Sequence, residues 1–383
     1  MKDLYILSLH LAYGGLQKAV AEFANLMAER YRVHILSFYD MPSGPAYPID
    51  SRVQIRYLYN DIPNREEFKA ALHAKRPFSV LKEGIRASKT LVAKRTEMIR
   101  AIKGVTSGII VSTRDEYAVL LSRYGHKDVI KIAQLHQDYA YEKQMARHFA
   151  HDYGNIDLFT LLSPKMAEEA KEIMKNNRHT RVAYVPNFII EIPPEAEPAE
   201  KRKEVIAVGR LHPVKGFDRL VRSFAALHAE FPEWTLRIVG DGEAYQTIQN
   251  AVHDCKAEEY VVLAGKYSQE QITDAMAKAS VYALSSYSEG FPYVLLEAMA
   301  GSLPIAAYNT RGGLEMLVKH GENGFLAQTE EEFREALAML MRDDELRETM
   351  GRESRGLLQS FTGKAVAETW FQLIEELEHE RKV

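Results

Sequence analysis

Two glutamates eight residues apart, Glu289 and Glu297, flank a Gly290-Phe291-Pro292 turn. Proline suits the first position of a helix, because its missing N–H would have no intrahelical partner there. Gly290 lets the backbone come close to a ligand. The N–H groups of Tyr293 and Val294, together with the helix dipole, would then favour an anion at that end. Ionised carboxylates only accept hydrogen bonds, so a pair of them beside an anion seat suits hydroxyl groups on either side of a phosphate. A sugar nucleotide has that layout, with a diphosphate between two hydroxyl-bearing rings. A capped helix with a solvated Glu289 and a salt-bridged Glu297 explains the same residues without chemistry, and the spacing leaves both readings open.

A second group of residues has the complementary charge. Residues 204–210 read as a strand ending in Gly209-Arg210, and Lys215 follows five residues after the arginine. At the carboxyl edge of a sheet Arg210 and Lys215 would offer a bidentate fork and a point charge, which is what a diphosphate leaving group needs. A surface pairing with Asp218 and Glu243 is the competing reading. Earlier in the chain, Gly14-Gly15 lies between an apolar run at 4–9 and a helical pattern at 21–30. Strand, glycine turn and helix open a parallel α/β unit whose backbone N–H groups suit a phosphate, although a tight structural turn needs the same glycines. His136 ends another apolar strand, at 131–136, where ligands of open parallel sheets bind. Gly265-Lys266-Tyr267 follows a strand at 261–264 and could seat a planar base.

The elements around these residues alternate strand and helix throughout. Further strands are expected at 33–38, 53–58, 108–112, 158–162, 182–187, 234–239, 281–284 and 303–307, each a short apolar run of the kind buried in parallel sheets. Helices are expected from Ser163-Pro164 onward, at 217–227, at 268–277, from Leu314, and as a long acidic amphipathic tail at 363–380. Residues 240–245 resemble a dinucleotide fingerprint, but Tyr245 occupies the third glycine position. The stretch 191–203 is rich in proline and charge without periodicity and reads as a linker.

At 383 residues the chain exceeds the size of most single cores, so two domains are expected. Its net charge of -4 argues against a general nucleic-acid binder. A single cysteine, Cys255, excludes an internal disulfide and offers no metal cluster. The apolar run at the N-terminus is too short for a signal peptide, and no window nears the roughly 20 apolar residues of a membrane span. Residues 65–103 differ from the rest: eleven Lys or Arg stand against four Glu, a balance of +7, with Phe78, Ile85, Val92 and Ile99 recurring every seven residues. Attraction to anionic lipid headgroups is one reading of this basic amphipathic segment. A solvated face over an apolar stripe docked on the sheet is the other.

Taken together, Gly14-Gly15, Gly209-Arg210 with Lys215-Gly216, Glu289-Gly290-Phe291-Pro292 with Glu297, and Gly312-Gly313 resemble glycosyltransferase family 4, the retaining, nucleotide-sugar-dependent enzymes with the GT-B fold. The resemblance covers essentially the whole chain. It implies an α/β fold of two Rossmann-like domains facing across a cleft. These would be an acceptor-side domain at 1–188, a linker at 189–203 and a donor-binding domain at 204–364, with a C-terminal helix at 365–383 packing back on the first.

It also implies roles. Gly14, Gly15 and Gly209 would line the donor site. Arg210 and Lys215 would bind the donor diphosphate, Glu297 the ribose hydroxyls, and Glu289 the hydroxyls of the transferred sugar. Gly290, Phe291, Tyr293 and Val294 would form the turn under the phosphates, and Lys266 would belong to the base-binding loop. His136 corresponds to the family's histidine near the donor sugar, although Gln137 follows it here. The expected activity is transfer of a hexosyl or N-acetylhexosaminyl group from a nucleotide-diphosphate sugar, a UDP-sugar by the family's frequency, to a lipid-linked or cell-envelope glycan. With His136, Glu289, Arg210 and Lys215 doing the chemistry, neither a metal nor another cofactor is expected. A cytoplasmic location follows, with a peripheral place on the inner face of the membrane if residues 65–103 meet lipid. A non-catalytic sugar-nucleotide or lipid-binding protein of the same fold is the alternative, and a pyridoxal-dependent phosphorylase or a nicotinamide oxidoreductase fits less well.

Overall fold

Short apolar runs separated by helical segments bury their strands on both faces, and parallel sheets result. The computed structural model describes residues 1–137, 143–194 and 201–381. The chain divides into two units, one of Met1–Val185 with Thr369–Val383 and the other of Pro186–Glu368. Each is built on one wholly parallel sheet.

In the first unit the strands are β1 (Asp3–Ser8), β2 (Arg32–Tyr39), β3 (Gln54–Tyr59), β4 (Gly108–Ser112), β5 (Val129–Gln134), β6 (Leu158–Leu161) and β7 (Arg181–Tyr184). They lie in the order β3-β2-β1-β4-β5-β6-β7. The chain direction across the sheet reverses between β1 and β4, and such a switch point opens a crevice at the carboxyl ends of the strands. The central strands β4, β5 and β6 are almost wholly buried, and Phe38, Tyr117, Phe149 and Phe159 fill the layer beneath the helices. Ser163 caps the helix Pro164–Ile173 as its sequence suggested, accepting from the Met166 N–H at 3.2 Å.

The end of the chain completes this unit. In the helix Gly363–Glu380, Trp370 meets Phe23 edge-on with ring centroids 4.9 Å apart, and Arg30 lies over the Phe371 ring at 4.0 Å. Lys2 pairs with Glu378 at 2.7 Å, and Arg381 with Asp157 at 2.7 Å.

The basic segment at 65–103 forms two helices, Arg65–His73 and Pro77–Lys103. The break has a local cause. Arg76 precedes proline, which disfavours helical backbone at that position, and it is extended at φ -97° and ψ 93°. The second helix buries Thr90, Met98, Ala101 and Ile102. Its first half does not dock its stripe on the sheet, since Phe78, Ile85 and Val92 remain 88%, 49% and 64% exposed. Among the described residues no helix is long and apolar enough to cross a membrane.

In the second unit the strands are β8 (Glu204–Val208), β9 (Thr235–Val239), β10 (Val261–Gly265), β11 (Val281–Leu284), β12 (Ile305–Tyr308) and β13 (Gly324–Ala327), in the order β10-β9-β8-β11-β12-β13. Its switch point falls between β8 and β11. Trp234, Phe224 and Phe333 are fully buried in its core. Strand β13 and the helices Glu330–Arg342 and Asp344–Leu358 were not read from the sequence, although Thr329 and Asp343 cap the two helices through the N–H groups of Glu332 and Leu346. Residues 189–203, read as a linker, include 195–200, which lie outside the described residues. Ile189 itself pairs with Thr362 in a parallel bridge and is buried in the second unit.

Candidate active site

The loops after β8 and β11 meet at the switch point of the second sheet. The β8 loop carries Gly209 and an exposed Arg210, then a 3-10 turn at Pro213–Lys215 capped by His212, whose Nδ1 accepts from the Val214 N–H at 3.2 Å. Gly216 has φ 60°, and a Cβ there would lie 2.3 Å from the Ser285 carbonyl oxygen, so only glycine fits between the loops. Two further bonds lace them together: Tyr287 N–H donates to Val214 C=O at 2.8 Å, and Ser285 Oγ donates to Lys215 C=O at 2.9 Å.

This lacing brings Lys215 to Glu289. The ammonium donates to Glu289 Oε1 at 2.6 Å, and Ser286 Oγ donates to the same oxygen at 2.5 Å. Glu289 is buried, so the solvated glutamate of the competing sequence reading does not occur. Lys215 thus pairs with Glu289, while of the acids in the competing surface reading Asp218 pairs with Arg222 at 2.9 Å and Glu243 lies 3.3 Å from His212. Burying a carboxylate is costly without a countercharge and hydrogen bonds, and Lys215 and Ser286 supply both through Oε1. No bond to Oε2 forms among the described residues.

Arg219, not singled out in the sequence, holds the loop from behind. Its Nε donates to Ser285 C=O and its Nη2 to Ser286 C=O, both at 2.7 Å. The guanidinium is sandwiched between Tyr287 and Tyr308, 3.8 and 3.7 Å from their ring centroids. Burial pulls its pKa below the usual arginine range, yet arginine remains charged at neutral pH. Ser286 was also missed, and its signal was present: a serine three residues before a glutamate is the spacing at which the two side chains can meet.

The helix after this loop is Tyr293–Ala300, one residue shorter at its start than expected. Pro292 is the N-cap and not the first helical residue, because its ψ of 117° is extended. Tyr293 and Val294 therefore supply the first two helical N–H groups, and the Leu295 N–H makes the first bond back, to Pro292 C=O at 3.0 Å. Buried Phe291 is fixed through its carbonyl, which accepts from Asn187 Nδ2 at 3.1 Å. Gly312 presses on the same turn, since at φ 135° its Cβ would lie 2.1 Å from the Glu289 carbonyl oxygen and 3.0 Å from that of Gly290.

Farther along the helix, half-buried Glu297 accepts from Gln269 Nε2 at 3.0 Å. Gln269 opens the helix Gln269–Lys278, whose cap Ser268 exchanges bonds with Gln271. Exposed Lys266 lies between that cap and the end of β10. Gly209, Arg210, Lys215, Lys266, Glu289, Gly290, Phe291, Tyr293 and Val294 thus all belong to loops or a helix start at the carboxyl edge of one sheet, with Glu297 one turn farther along the same helix.

Gly14, Gly15 and His136 belong to the first unit. Gly14 caps the helix Gly15–Met27 and its N–H donates to Tyr47 Oη at 3.4 Å, while the Cα of Gly15 faces open space. His136 follows β5 by two residues, half-buried, with Nε2 3.1 Å from Gln134 Oε1. Asp138, close behind it, lies outside the described residues.

Residues 188–356 match the family described as glycosyl transferases group 1. An exopolysaccharide phosphotransferase of Streptomyces coelicolor is 26% identical over 391 residues, covering 98% of this chain and 41% of that protein. The GtfA subunit of a UDP-N-acetylglucosamine–peptide N-acetylglucosaminyltransferase from Streptococcus pneumoniae is 27% identical over 236 residues, covering 59% of this chain and 46% of that one. The chain therefore spans less than half the length of these curated relatives. Among solved structures, S. aureus TarM, crystallised with UDP, superposes with a TM-score of 0.77 at 13% identity, over 97% of this chain and 99% of its own. The match to group 1 glycosyl transferases thus falls on the second unit, in a chain that has the two-domain α/β architecture of the GT-B fold.

Proposed function

We propose that the protein is a retaining glycosyltransferase of family 4 that moves a sugar from a UDP-sugar to a hydroxyl of a lipid-linked or cell-envelope glycan. The observation that carries this reading is the cluster at the β8–β11 switch point, where buried Glu289 is held by Lys215 and Ser286 beside a helix N-terminus. Glu289 Oε2 would accept from a hydroxyl of the donor sugar, and Glu297, steadied by Gln269, from the ribose. Arg210, Lys215 and the N–H groups of Tyr293 and Val294 would face the diphosphate, with Gly209, Gly290 and Phe291 shaping the turn and Lys266 beside the base. Gly14, Gly15 and His136 would contribute from the first unit. A uridine donor is supported by the substrate in the name of the pneumococcal relative. An envelope polysaccharide acceptor is supported by the name of the Streptomyces relative, a protein more than twice as long.

In the proposed reaction the bond between the anomeric carbon and the diphosphate oxygen breaks, and its electron pair leaves with the diphosphate. The acceptor hydroxyl attacks from the same face and gives its proton to the departing phosphate. Negative charge grows on the diphosphate, where fixed cations and a helix N-terminus stabilise it without reorganising. Arg210 and Lys215 do here what a metal does in other transferases, and turnover is proposed to need none.

The test is UDP release from UDP-N-acetylglucosamine and UDP-glucose, with and without glycan acceptors. The Lys215→Ala variant is expected to lose at least about a hundredfold in turnover with its fold intact, the scale of removing one electrostatic group. Donor capture without turnover by the unaltered protein would make it the binding protein instead.

A further inference from the structure

The face of the helix Pro77–Lys103 that points away from the sheet is covered by no element among the described residues of its own unit. At 100° per residue, Phe78, Leu81, Ile85 and Val92 fall within an arc of roughly 60°, a stripe about 21 Å long. All four are exposed, Leu81 to 62%. The opposite side anchors the helix: Thr90, Met98, Ala101 and Ile102 are buried, Arg86 bonds Asp61 through Nε at 2.8 Å, and Lys94 pairs with Glu116 at 2.8 Å. The stripe is therefore held outward by a rigid attachment.

Charge frames the stripe on both edges. Exposed Lys82 and Lys89 border it on the Phe78 side and exposed Arg95 on the Leu81 side. The acids of this helix lie off the stripe and are engaged, Glu83 with Asn64 at 2.8 Å and Glu97 with Arg100. Apolar side chains flanked by unneutralised cations, on a chain whose overall charge is negative, match a water–lipid boundary with anionic headgroups. A second copy of the chain fits poorly, because a twofold pairing of this face would bring its own lysines and Arg95 together.

We propose that this face docks on an anionic lipid bilayer, with Phe78, Leu81, Ile85 and Val92 entering the acyl boundary and Lys82, Lys89 and Arg95 meeting headgroup phosphates. Docking stands apart from the catalytic proposal, since it uses no residue of the donor site.

The experiment is cosedimentation of the full chain with phosphatidylcholine vesicles, with and without phosphatidylserine. At least about tenfold stronger partition onto the anionic vesicles is expected, since each basic residue near a charged surface contributes roughly fivefold. Lys82→Glu with Lys89→Glu is expected to erase the preference, and Phe78→Ser with Val92→Ser to abolish binding. A Phe78→Trp variant reports insertion directly, by a blue shift of its emission on anionic vesicles alone. UDP release without acceptor is expected to be unchanged in every variant, which separates loss of docking from loss of fold. Equal partition onto both vesicle types overturns the proposal, as does no binding at all. A blue shift that follows protein concentration without vesicles, with doubled mass in sedimentation velocity, gives the face to a second copy.

Discussion

Arg219 touches no group proposed to meet the donor, yet replacing it should damage turnover through Glu289. Its two bonds to the carbonyls of Ser285 and Ser286 are 2.7 Å long and charge-assisted, each worth roughly 1.5–3 kcal/mol. The stacks on Tyr287 and Tyr308 add about 0.5–2 kcal/mol each. An Arg219→Met variant keeps part of the packing and lets water reach the two carbonyls, so the net loss should be about 2–4 kcal/mol. For a unit of this size that lowers the melting temperature by roughly 5–15 °C. The loop freed by the change carries Ser286 and Glu289, and a displacement of about 1 Å at a positioning group costs on the order of a hundredfold. UDP release should therefore fall by about ten- to a hundredfold in kcat, with KM changed much less. Arg219→Lys should recover part of the stability but little of kcat, because one ammonium does not reproduce a planar fork. The decisive assay is a double-mutant cycle with Glu289→Ala. If Arg219 acts by placing Glu289, its removal adds little to the kcat loss in that background. Additive losses in kcat would refute the positioning role.

Three other outcomes follow from the same geometry. Gly312→Ala puts a Cβ against the Glu289 carbonyl at a φ that alanine avoids; at least about a tenfold drop in UDP release is expected, and unchanged kinetics would show that the turn yields freely. Dialysis against EDTA should leave turnover within experimental error, whereas a loss restored by magnesium would place a metal in the reaction. Trp370→Ala should destabilise by about 3–5 kcal/mol, as large aromatic truncations do. Hydrogen exchange should then rise across the first unit and stay unchanged around β8 and β11.

Much of this molecule is readable in its residues because parallel sheets write short apolar runs and put glycines where loops crowd. The loops that open just after β8 and β5, with Gly209 and His136 in them, follow from that grammar. What stays hidden is any partnership set by topology. Lys215 and Glu289 are 74 residues apart and meet only because β8 lies beside β11. Arg219 looks like one more polar position on an amphipathic helix, and nothing local points to Ser285. Heptad spacing in residues 65–103 located a stripe correctly but carried no information on which side the sheet would cover. Pro292 shows the limit at single-residue scale, because proline is accepted both at a cap and in the first turn, and the extended ψ decides between them.

The crossing of the final helix into the first unit also sets a timetable for synthesis. Phe23 and Arg30 are made early, but their partners Trp370 and Phe371 leave the ribosome only after the entire second sheet has been translated. At about 5–20 residues per second, the gap between residues 185 and 370 is on the order of 10 to 40 seconds. During that interval the earlier-made unit waits with an open apolar seam, and because the second unit runs to Glu368 the two units receive their last residues almost together.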